Sequence, residues 1–282
     1  MYKIIRKKSL NPTVTQMEIE APLVAKKALP GQFIILRVNE DGERIPLTVA
    51  GYDREEGTVK IIFQVVGATT ELLNHKKEGE YIQDFVGPLG TATHTDGIKK
   101  VCIVGGGVGC AIAMPVAQEF HRLGAEVTSI IGFRNKDLVI LEDEFKACSD
   151  NFVMMTDDGS YGRHGNVTIP LKEMLSAGKD FDMIITIGPL VMMKFVTLTA
   201  KEFGTPVTVS MNPIMVDGTG MCGGCRLTLN QDGKKVTKFA CVDGPDFNGY
   251  EVDFDEAISR GRTYFDFERK AHEETCNLFK KA

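Results

Sequence analysis

Val101-Cys-Ile-Val-Gly-Gly-Gly-Val-Gly109 is the stretch on which the fold turns. Four apolar residues make a fully buried strand, and five more, four of them glycine, lead into a helical pattern that runs to Leu123-Gly124. A strand, a glycine-rich turn and a helix N-terminus let backbone amides meet a pyrophosphate without side-chain obstruction. The spacing is not the usual Gly-x-Gly-x-x-Gly of the dinucleotide fold. Gly105, Gly106, Gly107 and Gly109 are the candidate contacts.

Downstream the pattern alternates. Strands are expected at 126–132, 151–156 and 181–187, with helices near 141–147 and 169–177 between them. Strand and helix in turn mean a parallel sheet with helices on both faces. Ligands in such sheets bind at the carboxyl ends of the strands. Arg134, Asp157 in the loop 157–162, and Gly188 before Pro189 should therefore converge with the glycines on one crevice, and a nicotinamide nucleotide suits it. Met192, Met193 and Phe195 read as core packing, because Met fills irregular gaps.

Upstream, the texture is different. Short β-branched runs at 3–7, 13–19, 32–38, 47–50 and 58–66 are separated by Gly, Pro and Asp, which predicts a small antiparallel barrel with a short helix at 70–75. Arg44-Ile-Pro46-Leu47-Thr48 places a cation and a hydroxyl at the start of a strand. Gly67-Ala-Thr69-Thr70 opens a helix with free N–H groups suited to a phosphate. Each also has an ordinary reading, as a solvated edge charge and as a helix cap.

Beyond the nucleotide pattern lies Asp217-Gly-Thr-Gly-Met-Cys222-Gly-Gly-Cys225, then fifteen residues, then Cys241. Plant-type two-iron clusters use Cys-x4-Cys-x2-Cys…Cys, and Asp217 stands where the first cysteine would be. Glycines at 218, 220, 223 and 224 tolerate positive φ and leave N–H groups free for the sulfurs. A [2Fe-2S] site on Asp217, Cys222, Cys225 and Cys241 is expected. Zinc is the rival occupant, and Asp217 in Asp-Gly can also be a turn residue. The tail 249–282 is helical in period, with Phe254, Ala257, Ile258, Tyr264, Phe265 and Phe267 expected on one packed face.

Three units follow: a barrel over 1–98, a nucleotide domain over 99–208, and a cluster domain with its helix over 209–282. A formal charge of −5 argues against a general nucleic-acid binder, since phosphate binding leaves a basic footprint. No apolar run is long enough to cross a bilayer, and the basic start of the chain has no signal-peptide core. Seven cysteines, with Cys102, Cys110, Cys148 and Cys276 scattered, fit a reducing cytoplasm. None of the five histidines sits beside a second metal-type ligand at helical spacing, and no nucleophile and base stand together. No catalytic side chain is assigned; the chemistry belongs to cofactors.

The ordered set of Arg-x-Pro-Leu-Thr barrel, Gly-Gly-Gly-Val-Gly domain ending in Gly-Pro-x-x-Met-Met, and carboxy-terminal cluster motif resembles the ferredoxin–NADP reductase superfamily. More narrowly it resembles the electron-transfer subunits of the dihydroorotate dehydrogenase type. Within them it is most similar to the small subunits of NADH-dependent reduced ferredoxin:NADP oxidoreductases. The resemblance implies FAD in the barrel, with Arg44 on its pyrophosphate, Pro46, Leu47 and Thr48 beside the ring and ribityl chain, and Gly67, Thr69 and Thr70 near the phosphates. It implies NAD(H) at the glycines, Arg134, Asp157 and Gly188. It also implies a heterodimer with a larger iron-sulfur flavoprotein through which ferredoxin acts. An aspartate in the cluster set belongs to the bifurcating group, whereas the dihydroorotate dehydrogenase subunits carry a cysteine there.

Overall fold

The computed structural model describes residues 1–281, with side chains described through Glu274; Cys276 and the end of the tail lie outside those side chains. The first unit contains β1 (Tyr2–Asn11), β2 (Val14–Glu20), α1 (Pro22–Lys27), β3 (Phe33–Arg37), β4 (Arg44–Asp53), β5 (Thr58–Gln64), α2 (Ala68–His75), β6 (Tyr81–Ile82) and β7 (Asp84–Leu89). The strands form one antiparallel sheet in the order β6-β1-β2-β5-β4-β3-β7. β6 and β7 are separated by one residue, so a single extended stretch pairs with β1 at one edge and β3 at the other. The sheet thereby nearly closes into a barrel. Alternate residues such as Ile34, Leu36, Ile61 and Phe63 fill its interior, each such burial contributing about 1.5–3 kcal/mol.

The second unit contains β8 (Lys100–Gly106), α3 (Gly109–Arg122), β9 (Glu126–Phe133), α4 (Glu142–Ala147), β10 (Asn151–Thr156), β11 (Arg163–His164), α5 (Thr168–Ser176), β12 (Met183–Ile187), α6 (Leu190–Glu202) and β13 (Val207–Ser210). The order β11-β10-β9-β8-β12-β13 is parallel throughout. The chain winds outward from β8 in one direction and resumes at β12 in the other. The switch point, where ligands bind in such sheets, falls between β8 and β12.

The third unit is a hairpin of β14 (Arg226–Gln231) and β15 (Lys234–Phe239), then β16 (Asp246–Asn248), α7 (Phe254–Arg260) and α8 (Phe265–Lys281). The hairpin turns through Asp232-Gly233, both at positive φ, as a two-residue loop of right-handed strands requires. β16 leaves this unit to pair antiparallel with β13, extending the nucleotide sheet. One apolar core joins Phe33 and Ile35 of the barrel, Val104 and Ile184 of the sheet, and Leu227, Cys241 and Phe254 of the cluster unit.

The tail departs from expectation. Phe254 and Ala257 are buried, but Tyr264, Phe265 and Phe267 are exposed. α7 stops before Gly261 and α8 begins afresh at Phe265, so one helical phase does not carry across both. No helix among the described residues is long and apolar enough to cross a membrane.

Candidate functional site

The barrel and the parallel sheet enclose between them a cleft of about 1100 Å³. Pro46, Leu47 and Thr48 of β4 and Thr70 of α2 line its barrel side. Gly106, Gly107, Gly109, Arg134, Asp157 and Gly188 line the other. Ten residues singled out in sequence thus share one cavity, although they come from six separate segments of the chain.

Glycine is required at the switch point for steric reasons. Gly107 has φ +56, and a Cβ on Gly109 would lie 2.5 Å from the Ile187 carbonyl oxygen. Such closeness packs the first turn of α3 directly against the end of β12. A Cβ on Gly106 would strike Met192 Sδ at 2.3 Å. Met192 therefore floors the glycine turn and lines the cleft, and the exposed Phe195 lines it too. Of the Met192, Met193 and Phe195 cluster expected in the core, only Met193 is fully buried there, because α6 starts at the ligand face and turns two of the three outward.

Four of the expected cofactor residues lie outside the cleft lining. Gly105 is buried beneath Cys110, and Gly67 caps α2. Thr69 donates its hydroxyl to Glu43 at 3.1 Å. Thr70 Oγ1 accepts from the Val66 and Gly67 N–H groups at 3.0 Å each and donates to the Gly67 carbonyl, fixing the loop that enters α2. Arg44 is exposed at the start of β4, 4.0 Å from Asp84 Oδ2, the same oxygen that accepts from Arg37 Nε at 2.6 Å. Ser210, Met211 and Asn212 also line the cleft and were not foreseen. Their only signal is position, since Ser210 ends the last strand of the winding and the other two follow it.

The cluster loop packs on the barrel. A Cβ on Gly218, which has φ +82, would meet Ile35 and Leu89 at 2.8 Å. Cys225 and Cys241 are buried with their Sγ atoms 3.1 Å apart, and both are free thiols. Burial, reinforced by the Cys225 neighbour, pushes Cys241 up to about 12. Cys222 is exposed, and N–H groups of Gly224 and Asp217 hold its thiol below the ordinary value. Asp217 is also held low, first by the Thr219 hydroxyl, then by the N–H groups of Thr219 and Met221, with Arg44 assisting. Among the described residues no three His, Cys, Asp or Glu side chains converge as a set for one metal ion. A close thiol pair beside a thiolate-favouring amide nest fits a two-iron cluster, which takes its ligands in pairs, better than it fits a single zinc.

A nearly closed antiparallel barrel, a parallel nucleotide sheet and a carboxy-terminal thiol site define an oxidoreductase subunit with a ferredoxin reductase-like fold. The same fold, at TM-score 0.61 and 20% identity, occurs in an Amycolatopsis cytochrome P450 reductase, over 72% of this chain and 65% of that one. Residues 212–253 match the iron-sulfur cluster binding domain of dihydroorotate dehydrogenase B. The chain is 47% identical over 273 residues to the dihydroorotate dehydrogenase B (NAD(+)) electron transfer subunit homolog of Thermotoga maritima, covering 97% of this chain and 95% of that protein. It is 32% identical over 254 residues to the electron transfer subunit of Desulforamulus reducens, covering 89% and 96%. It therefore belongs to the family of dihydroorotate dehydrogenase B electron transfer subunits. A structure of the NADH-dependent reduced ferredoxin-NADP oxidoreductase, described for its insight into flavin-based electron bifurcation, contains a chain 44% identical with TM-score 0.89 over 97% of both.

Proposed function

We propose that this chain is the electron-transfer subunit of a flavin-based bifurcating NADH-dependent ferredoxin:NADP oxidoreductase, moving electrons between NAD(H), FAD and a [2Fe-2S] cluster. The observation that carries this is spatial. One cleft opens to both the barrel and the switch point, and the thiol loop rests on the barrel strands β3 and β7 that help build it.

In this reading Pro46, Leu47, Thr48 and Thr70 hold FAD from the barrel side, with Arg44, Gly67 and Thr69 supporting the phosphate end. Gly105, Gly106, Gly107, Gly109, Arg134, Asp157 and Gly188 receive NAD(H), and Asp217, Cys222, Cys225 and Cys241 hold the cluster. Bound flavin supplies conversion between two-electron hydride chemistry and single-electron transfer. The protein's part is to orient the two ring systems, exclude water with Met192 and Phe195, and hold the thiolates ready. The units 1–98, 99–208 and 209–282 are assigned to FAD, nucleotide and cluster respectively, and a reducing cytoplasm suits the free cysteines.

The partner in this reading is a larger iron-sulfur flavoprotein, in a heterodimer, with ferredoxin acting through it. The second reading, the electron-transfer subunit of an NAD-dependent dihydroorotate dehydrogenase, is favoured by the cluster-domain match over 212–253. Asp217 at the first ligand position supports the bifurcating assignment. Co-purification decides between them: a pyridine nucleotide oxidoreductase with iron-sulfur centres supports the first, a flavoprotein making orotate the second. An anaerobic spectrum with iron, zinc and flavin assays tests both, and a colourless zinc protein would defeat them.

A further inference from the structure

Asp246 on β16 sits opposite Ser210 on β13. Its Oδ2 accepts the Thr93 hydroxyl at 2.6 Å, while its Oδ1 is sealed from solvent with no hydrogen-bond partner. A buried carboxyl oxygen left unpaired costs free energy, so its presence calls for an explanation. Ser210 and Pro245, on either side of this carboxyl, both line the cleft. On that stretch of wall stand Phe33, directly paired with Thr48, and Gly90, whose absent Cβ would touch Phe33, Gly244 and Pro245. The carboxyl thus lies just behind the barrel side of the cleft.

Electron transfer as proposed above leaves a proton unaccounted for. A hydride is one proton with two electrons, and an iron-sulfur cluster takes electrons only. Each hydride that enters therefore obliges one proton to leave as its electrons pass singly to the cluster. Among the described residues lining the cleft only Arg134 and Asp157 are charged, and both lie at the ends of β9 and β10, away from the barrel wall. Of the hydroxyl side chains lining the cleft, Ser210 is the one whose strand register sets it opposite a carboxyl-bearing residue.

We infer that Asp246 accepts this proton through the Ser210 hydroxyl, acting as the proton relay of the subunit. In the forward direction Ser210 O–H would give its proton to Asp246 Oδ1 as it takes the one released when bound flavin is oxidised, and Asp246 would release a proton from its Oδ2 side through the half-buried Thr93 hydroxyl, so that no net charge is stranded in the cleft. When electrons arrive singly from the cluster side the relay would run backwards, returning the proton that later leaves with the hydride toward NAD. Burial holds the carboxyl above its ordinary pKa, with the Thr93 and Ser210 hydroxyls opposing; these are the groups that act on it. A raised carboxylate is a better proton acceptor near neutral pH than an exposed one. The inference rests on the electron-transfer reading.

Purified chain carrying FAD and cluster should be reduced by NADH and then oxidised by ferricyanide in a stopped-flow spectrometer, in H2O and D2O across pH. Asp246→Asn should leave reduction by NADH intact yet slow oxidation roughly 10- to 100-fold, within the range of general acid–base contributions. The pH dependence of oxidation should shift with it. Reduced-minus-oxidised infrared spectra should show a protonated-carboxyl band in the wild type that Asp246→Asn removes. Ser210→Ala should slow oxidation with the carboxylate still present, which keeps the test open if the first variant folds poorly. A wild type that NADH fails to bleach overturns the functional reading and the relay with it. Normal bleaching, with the carboxyl band and oxidation rate unchanged in both variants, overturns the relay alone.

Discussion

The nucleotide end of the cleft and the cluster loop both rely on glycine, but in different backbone settings. At the switch point, Gly106 and Gly109 are needed because neighbouring atoms leave no room for a Cβ, and β8 and α3 fix the backbone on either side. In the cluster loop, Gly218 and Gly220 add φ values of +82 and +87 to side-chain neighbours 2.8 and 2.7 Å from a Cβ, and no regular element spans the chain between β13 and β14. The first site is finished when the sheet is finished. The second is shaped by the donors it carries, so its order should depend on what those donors bind.

Removing a donor should have the largest effect. Cys241→Ser should abolish cluster loading, with iron falling from about two per chain to near zero and output to one-electron acceptors dropping at least roughly 100-fold. FAD content should persist. Loss of flavin as well would show that the two regions are one cooperative site.

Next comes the rigid end. Gly109→Val places side-chain carbon where the Ile187 carbonyl stands, at a cost of about 1–3 kcal/mol. NADH affinity measured by titration should weaken roughly 10- to 100-fold, with iron content unchanged. A fall in iron would break the contrast from the other side.

Thr70→Val tests the barrel edge of the cleft. It removes the hydroxyl that accepts two N–H groups, so thermal stability should fall by about 1 kcal/mol and FAD should dissociate more readily. The smallest effect concerns Asp246. Its pKa is raised on folding, so its stabilising contribution is full below the unfolded carboxylate value of about 3.9 and fades as pH rises through the folded value. Urea midpoints of the wild type relative to Asp246→Asn should decline accordingly between acid and neutral pH.

Much of this was legible in sequence because it depends on local pattern. The strand and glycine turn at 101–109 announce the sheet, β-branched runs announce the barrel, and the cysteine spacing announces the cluster. Six of the residues expected to receive a nucleotide line one cleft since strand ends in a wound sheet must converge. What escaped was non-local. β7 contains Gly87-Pro88, which reads as a break, yet pairing with β3 holds it extended. Ser210 and Asp246 have no motif; only the β13–β16 pairing puts them side by side. Phe195 looked like core because its apolar character says nothing about which way α6 enters the cleft.

The pairing of β16 with β13 also bears on how the chain is made. On a ribosome, the strands β8 to β13 emerge before the cluster loop, the hairpin and Asn248. Until Asp246–Asn248 arrives, the β13 edge of an otherwise complete parallel sheet has unpaired amides and carbonyls, the kind of edge that recruits other chains. The segment that seals it begins five residues after Cys241. The edge is therefore closed only after the whole cluster loop has been made.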